Sequence, residues 1–300
     1  MDGSVPILPG ATAAAIQRHY DIGNEFYFLW LDPSYTYSCA LWYADEDLDT
    51  AQINKIDWHL EHCGAKGVGR LLDVGCGWGA LLRRATEIHG VGHAVGLSLS
   101  AEQNRWIDQL QLPKVEVHLE NWAAHTPSAP YDAIVSVGAF EHFARLDQSI
   151  EQKLAGYRAF FAFCHKNLKP HSRLSLQTIT YENSDRSDFS RFFADKIFPE
   201  SDLPHLAEIV ESARGLFEIE ILRQDRAHYA RTARAWLNNL RARSAEATAL
   251  VGAETVETYK KYLGLLVVGF HTGTMNLARI GMRRCEERLR PSQRSTSPLS

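Results

Sequence analysis

Gly75, Gly77 and Gly79 alternate directly behind the apolar run Leu71-Leu72-Asp73-Val74, and a helical pattern resumes at Ala80. Glycines at a strand-to-helix turn let the backbone bend sharply and bring main-chain N–H groups close to a ligand. That is how a nucleotide-containing cofactor is cradled. The dinucleotide fingerprint needs G-x-G-x-x-G, whereas the spacing here is G-C-G-W-G, which fits S-adenosylmethionine better. Taken alone, such a string also describes an ordinary tight turn, so its surroundings decide. A second chemical feature is the aromatic content between Tyr20 and Tyr43. Rings of this kind are usually packing material, but near a cofactor they can also face a cation.

Composition narrows the classes. With 300 residues, 45% of them hydrophobic, the chain has enough apolar material for a sizeable core. A formal charge of −4 argues against a non-specific grip on nucleic acid, which needs a basic surface, and leaves only local basic patches. The apolar run Leu263 to Phe270 is too short to span a bilayer, and Met1-Asp2-Gly3-Ser4 opens no signal peptide; a cytoplasmic location is expected. Cys39, Cys63, Cys76, Cys164 and Cys285 are odd in number and lack metal-ligand spacing, so reduced thiols and no metal are expected. His142, His165 and His171 are spaced too irregularly for a ligand cluster.

The elements that must position the glycine turn follow from periodicity. Apolar segments at Arg70–Val74, Val91–Leu97, Val115–Leu119, Ala133–Val137 and Arg173–Ile179 read as five strands alternating with helices. This predicts an α/β, doubly wound, Rossmann-like sheet that binds ligands beyond the carboxyl ends of its strands. The expected organisation is a single domain over 1–300. It comprises an N-terminal helical segment (1–60), a cofactor-binding core (61–185), an α-helical lid over the acceptor (186–243), a C-terminal part of the core (244–288) and a disordered tail (289–300).

Several ordered motifs carry a resemblance. They are His19-Tyr20-Asp21-Ile22-Gly23-Asn24-Glu25-Phe26-Tyr27, Leu31 to Ala40, the glycine turn with Trp78, Gly96 to Gln103, Gly138 to Phe143, Lys196-Ile197-Phe198-Pro199 and His228 to Thr232. Through them the chain resembles the cyclopropane fatty acid synthase and mycolic acid synthase family of S-adenosylmethionine-dependent methyltransferases, over nearly its whole length. The resemblance implies a class I methyltransferase fold. It implies cofactor contacts from Tyr37, Ser38, Asp73, Gly75, Gly77, Ser98, Leu99 and Gln103, the last bonding ribose hydroxyls through its amide, with Asn121 and Trp122 flanking the adenine. The chemistry is methyl transfer to an alkene carbon, which leaves a carbocation and so calls for aromatic faces and a base. Tyr20, Tyr37 and Phe140 are the candidate faces. Relatives use a bicarbonate ion as proton acceptor, which implies an anion site at Cys39, Glu141, Ile179, Tyr262 and the position of Gln177. Glu141 follows the fourth predicted strand, where a carboxylate can reach the reacting centre; at a helix start it would also be favoured electrostatically.

Two departures stand out. Gln177 occupies the position of the family's histidine, and Leu266 that of a cysteine found in relatives. A glutamine can donate an N–H to an anion but cannot take a proton or carry charge. Bicarbonate is therefore in doubt, and Glu141 becomes the nearest candidate base. The expected function is carbon–carbon bond formation, either C-methylation or cyclopropane closure, on a specialised natural-product intermediate or another small-molecule or lipid-like acceptor. The competing readings are N-methylation of a small amine, cyclopropanation of lipid acyl chains, and a cofactor-binding pseudoenzyme. A homo-oligomer stays open, and no nucleic-acid partner or integral membrane segment is expected.

Overall fold

The computed structural model describes residues 22–185 and 201–286. A seven-stranded sheet runs through them: β1 Arg70–Val74, β2 His93–Ser98, β3 Val115–Leu119, β4 Tyr131–Val137, β5 Leu168–Tyr181, β6 Phe217–Gln224 and β7 Met275–Arg284. The spatial order is β3-β2-β1-β4-β5-β7-β6. The strands β1 to β5 pair in parallel, while β7 is antiparallel to both β5 and β6. Five strands are where the apolar segments put them.

Alternation along the strands builds a core on each face. Leu72, Val74, Ile134, Leu174 and Leu176 point to one side, against Tyr157, Phe160, Phe161 and Cys164 of the helix Ile150–Asn167. Leu71, Ala94, Ala133 and Val135 point to the other, against Ile56 and Leu60 of the helix Leu48–His62 and Leu81, Leu82 and Ala85 of the helix Ala80–Glu87. In chain order the α-helices are α1 Asn24–Phe28, α2 Leu48–His62, α3 Ala80–Glu87, α4 Ala101–Gln109, α5 Ile150–Asn167, α6 Leu206–Ala213, α7 Arg226–Ala242, α8 Ser244–Val251 and α9 Ala253–Thr272. A third cluster joins Phe26, Tyr27 and Trp30 to Trp236 of α7 and to Tyr259 and Phe270 of α9.

Two expectations need correction. The segment 186–243 is not an all-helical insert: Phe217–Gln224 forms β6, with every second residue turned inward. Its Phe-Glu-Ile-Glu-Ile pattern has the period of a strand. The N-terminal segment 1–60 is also not helical throughout. Helix α1 ends at Phe28, and the chain from Asp32 to Trp42 is irregular yet largely buried. Buried irregular backbone must find partners outside regular structure. The Asp32 carboxylate accepts from the Ser34 and Thr36 N–H groups at 2.9 and 3.0 Å. Gln52 of α2 donates to the Thr36 and Ser38 carbonyls, and His228 and Thr232 of α7 accept from the Trp42 and Ala40 N–H groups. The motif at 196–199, the tail 289–300 and residues 14–21 lie outside the described residues.

Candidate active site

The glycine turn leaves β1 with φ of +86° at Gly75, +56° at Gly77 and +84° at Gly79. At Gly75 a Cβ would stand 2.6 Å from that of Ala139. The N–H groups of Gly75 and Cys76 donate to the Leu97 carbonyl at the end of β2, at 2.9 and 3.0 Å, which ties the turn to the neighbouring strand. Substituting Gly75→Ala combines a left-handed backbone with that close approach and is expected to cost about 2 kcal/mol or more, read as a lowered melting temperature.

A cleft opens over this turn at the carboxyl ends of β1, β2 and β4. Each residue assigned to the cofactor lines it: Tyr37, Ser38, Asp73, Gly75, Gly77, Ser98, Leu99, Gln103, Asn121 and Trp122. Asp73 is buried, and its Oδ1 has no hydrogen-bond partner. Burial pushes its carboxyl up to about 7, against the opposing pull of Lys55. Burial in turn lowers Lys55 to about 7, and its ammonium donates to Ser38 Oγ at 2.8 Å. Ser98 donates to Gln103 Oε1 at 2.9 Å, so the Gln103 amide is held with its oxygen toward β2. Trp122 packs edge-on against Phe160 of α5, which leaves an aromatic wall on the cleft.

The residues assigned to catalysis lie beside the cleft in local groups. Glu141 sits in the single 3-10 turn Phe140–His142 after β4, between the cleft-lining Ala139 and His142. Its Oε1 accepts from the Ile179 N–H at 2.6 Å, while Oε2 is buried with no partner. Burial raises this carboxyl to about 7 despite the Ile179 hydrogen bond. Tyr262 of α9 is buried, with its hydroxyl 3.4 Å from that of Tyr37. Cys39 is buried and its thiol is pushed up to about 11, so it stays protonated.

Gln177 accepts at Oε1 from Arg279 Nε at 2.8 Å and lies 3.2 Å from His59 Nε2. The fully buried Arg279 guanidinium also donates to the Cys39 and Ala40 carbonyls at 3.1 and 2.9 Å and pairs with Asp225. Arg279, Asp225, His59 and Lys55 were not apparent from sequence. The one local signal is that Lys55 and His59 stand four apart on one face of α2.

Phe140 does not face the cleft, a correction to its assignment as a cation face. Its ring stacks on Tyr157 at 4.4 Å within the aromatic core under the sheet, whereas the neighbouring Glu141 carboxylate turns to the Ile179 N–H of β5. Leu266 is buried among the aromatic cluster of α7 and α9. Tyr20 lies outside the described residues. Among the described residues no cluster of His, Cys, Asp or Glu is arranged to hold a metal.

A glycine turn beneath a cleft, at the carboxyl ends of strands ordered β3-β2-β1-β4-β5-β7-β6, defines a class I methyltransferase fold. The family described as mycolic acid cyclopropane synthetase matches residues 10–280. Cyclopropane mycolic acid synthase 1 of Mycobacterium tuberculosis (strain H37Rv) is 37% identical over 288 residues, covering 89% of this chain and 93% of its own length. Cyclopropane mycolic acid synthase 2 of Mycobacterium leprae is 36% identical, covering 83% and 86%. The crystal structure of mycolic acid cyclopropane synthase CmaA1 complexed with SAH and CTAB superposes with a TM-score of 0.83 at 34% identity, covering 92% of this chain and 99% of that one. The chain belongs to the cyclopropane synthase family of S-adenosylmethionine-dependent methyltransferases.

Proposed function

We propose that this protein transfers a methyl or methylene carbon from S-adenosylmethionine to an alkene carbon of a small-molecule or lipid-like acceptor, with the Glu141 carboxylate as the base. The observation that carries the reading is the orphaned Glu141 Oε2, buried and raised to about 7. Titratable groups shifted toward the working pH by burial are the mark of acid–base sites.

The cleft suits the cofactor. Asp73 offers an unpartnered carboxylate to its positively charged part, Gly75 allows the backbone to approach closely, and the amides of Gln103 and Asn121 with the Trp122 ring suit a ribose and an adenine. When bound, S-adenosylmethionine supplies an electrophilic methyl group. The alkene electron pair would form the new carbon–carbon bond as the methyl–sulfur bond breaks with its electrons left on the sulfur, leaving a carbocation on the acceptor. Tyr37, which lines the cleft, contributes an aromatic face to that cation. Glu141 then takes a proton either from a carbon next to the cation, whose C–H electrons close a double bond, or from the transferred methyl, whose C–H electrons bond to the cationic carbon and close the ring.

One contact favours Glu141 over bicarbonate as the base: the Ile179 N–H already donates to Glu141. Among the described residues no helix is long and apolar enough to cross a membrane; the same proposal places the enzyme in the cytoplasm. The test is incubation with methyl-labelled cofactor against separate lipid and small-molecule extracts. Label on carbon in a new C–C bond is the expected result. Label found only on nitrogen would replace this reading with amine methylation.

A further inference from the structure

Beside the candidate base, a hydrogen-bonded chain of buried side chains runs through the sheet, and nothing in the proposed reaction uses it. Its members are Ser175, His59, Gln177, Arg279 and Asp225. The chemistry of its members determines where every proton sits. Arg279 has no acceptor, so the Gln177 atom 2.8 Å from its Nε must be the amide oxygen. An amide oxygen cannot donate, so His59 Nε2, at 3.2 Å from the same oxygen, must carry its hydrogen. His59 Nδ1 then accepts from the Ser175 hydroxyl at 2.8 Å. Burial, followed by the nearby charges of Arg279 and Lys55, holds the His59 pKa well below the usual imidazole range, which keeps this the neutral tautomer. His62, the remaining titratable group that bears on it, acts in the same direction.

The amide of Gln177 is thus pinned from two sides by its oxygen. In the sheet Gln177 lies between Arg279 of β7 and Val137 of β4, and Val137 lines the cleft. With the oxygen drawn to Arg279, the planar amide has only its NH2 to offer in the opposite direction. We propose that His59 and Arg279 are positioning residues that hold Gln177 with its NH2 toward the reaction centre, as a fixed and uncharged hydrogen-bond donor for the acceptor substrate. A donor held by two partners needs no reorganisation when the substrate arrives. Unpinned, the amide could rotate and present its oxygen, which no acceptor-type group would bond.

The proposal rests on the methyltransferase reading, and the experiment separates the two. In the full-length, isotope-labelled protein, the imidazole nitrogens of His59 are assigned by their loss in His59→Phe. The expected spectrum is a neutral ring protonated at Nε2 that does not titrate between pH 5 and 9. A ring protonated at Nδ1, or one titrating near 6.5, overturns the proposal whether or not the enzyme turns over. With an acceptor in hand, His59→Phe keeps the volume but donates nothing; kcat should fall about tenfold or more, while cofactor affinity and melting temperature change little. His59→Gln restores an N–H and should recover most of the loss. Unchanged turnover in His59→Phe, or no rescue by Gln, also overturns it. If His59→Phe does not fold, the tautomer in the unmodified protein, assigned through His59→Gln, decides. A protein with the expected tautomer but no methyl transfer to any acceptor would refute the functional reading alone.

Discussion

Replacing Glu141 with Gln is expected to reduce turnover by about a thousandfold while leaving S-adenosylmethionine affinity within a fewfold of the original. General-base assistance contributes about 10²–10⁴-fold, and Glu141 lies outside the cleft-lining set that would contact the cofactor. Isothermal titration with the cofactor and single-turnover methyl transfer would measure the two quantities separately. The unmodified enzyme should also show a rate that rises with pH through about 7, because only the ionised carboxyl can take the proton. Stability must move the other way. The carboxyl has an ordinary pKa of 4.5 unfolded and about 7 folded, so the folded state holds its proton more tightly. The stabilising effect is complete below pH 4.5 and is lost as the pH rises toward 7, by about 3 kcal/mol for this shift. Glu141→Gln removes that penalty. Its melting temperature should exceed that of the unmodified protein at pH 8 and match it near pH 5. A variant that keeps full turnover, or gains no stability at pH 8, would remove Glu141 from the chemistry.

The parts of this site that were legible from sequence are those built by local patterns. The turn after β1 announces itself because strand, glycines and helix are contiguous, and Glu141 because it follows a recognisable strand. What escaped depends on distant pairing. Strand β7 was hidden because Asn276, Arg279 and Gly281 interrupt its apolar run, and Arg279 becomes intelligible only when β7 pairs with β5 and sets it opposite Gln177. Helix α2 supplies Lys55 and His59 from a third region. The stretch from Asp32 to Trp42 falls within the segment expected to be helical, yet its backbone is held open by the side chains of Asp32, Gln52, His228 and Thr232. No periodicity records such contacts. Phe140 misled for a different reason: a residue type suited to a cation says nothing about which way a turn aims its side chain.

Asp225→Asn is expected to cost about 3–5 kcal/mol of stability, the range for removing one partner of a buried ion pair, seen as a melting temperature lower by about 10 °C. Burial works against the Asp225 carboxylate, but Arg223 and Arg279 hold its pKa below the ordinary range. Arg279 depends on it more than the reverse: the guanidinium is fully buried and Asp225 is its acidic partner, whereas Asp225 also receives two hydrogen bonds from Arg223. The asparagine would leave that cation uncompensated. The loss should extend to function, because Arg279 anchors the Cys39 and Ala40 carbonyls directly behind Tyr37 and Ser38 of the cleft wall. Cofactor affinity is therefore expected to fall with stability, unlike in Glu141→Gln. A double variant, Asp225→Leu with Arg279→Met, removes both charges and should regain part of the stability. It should not regain all of it, since the Cys39 carbonyl would lose its donor while the Ala40 carbonyl and the Gln177 oxygen would keep only the Cys39 thiol and His59, and a buried orphan costs about 1–3 kcal/mol. Full recovery in the double variant would show that the pair merely neutralises itself and that the wall of the cleft stands without it.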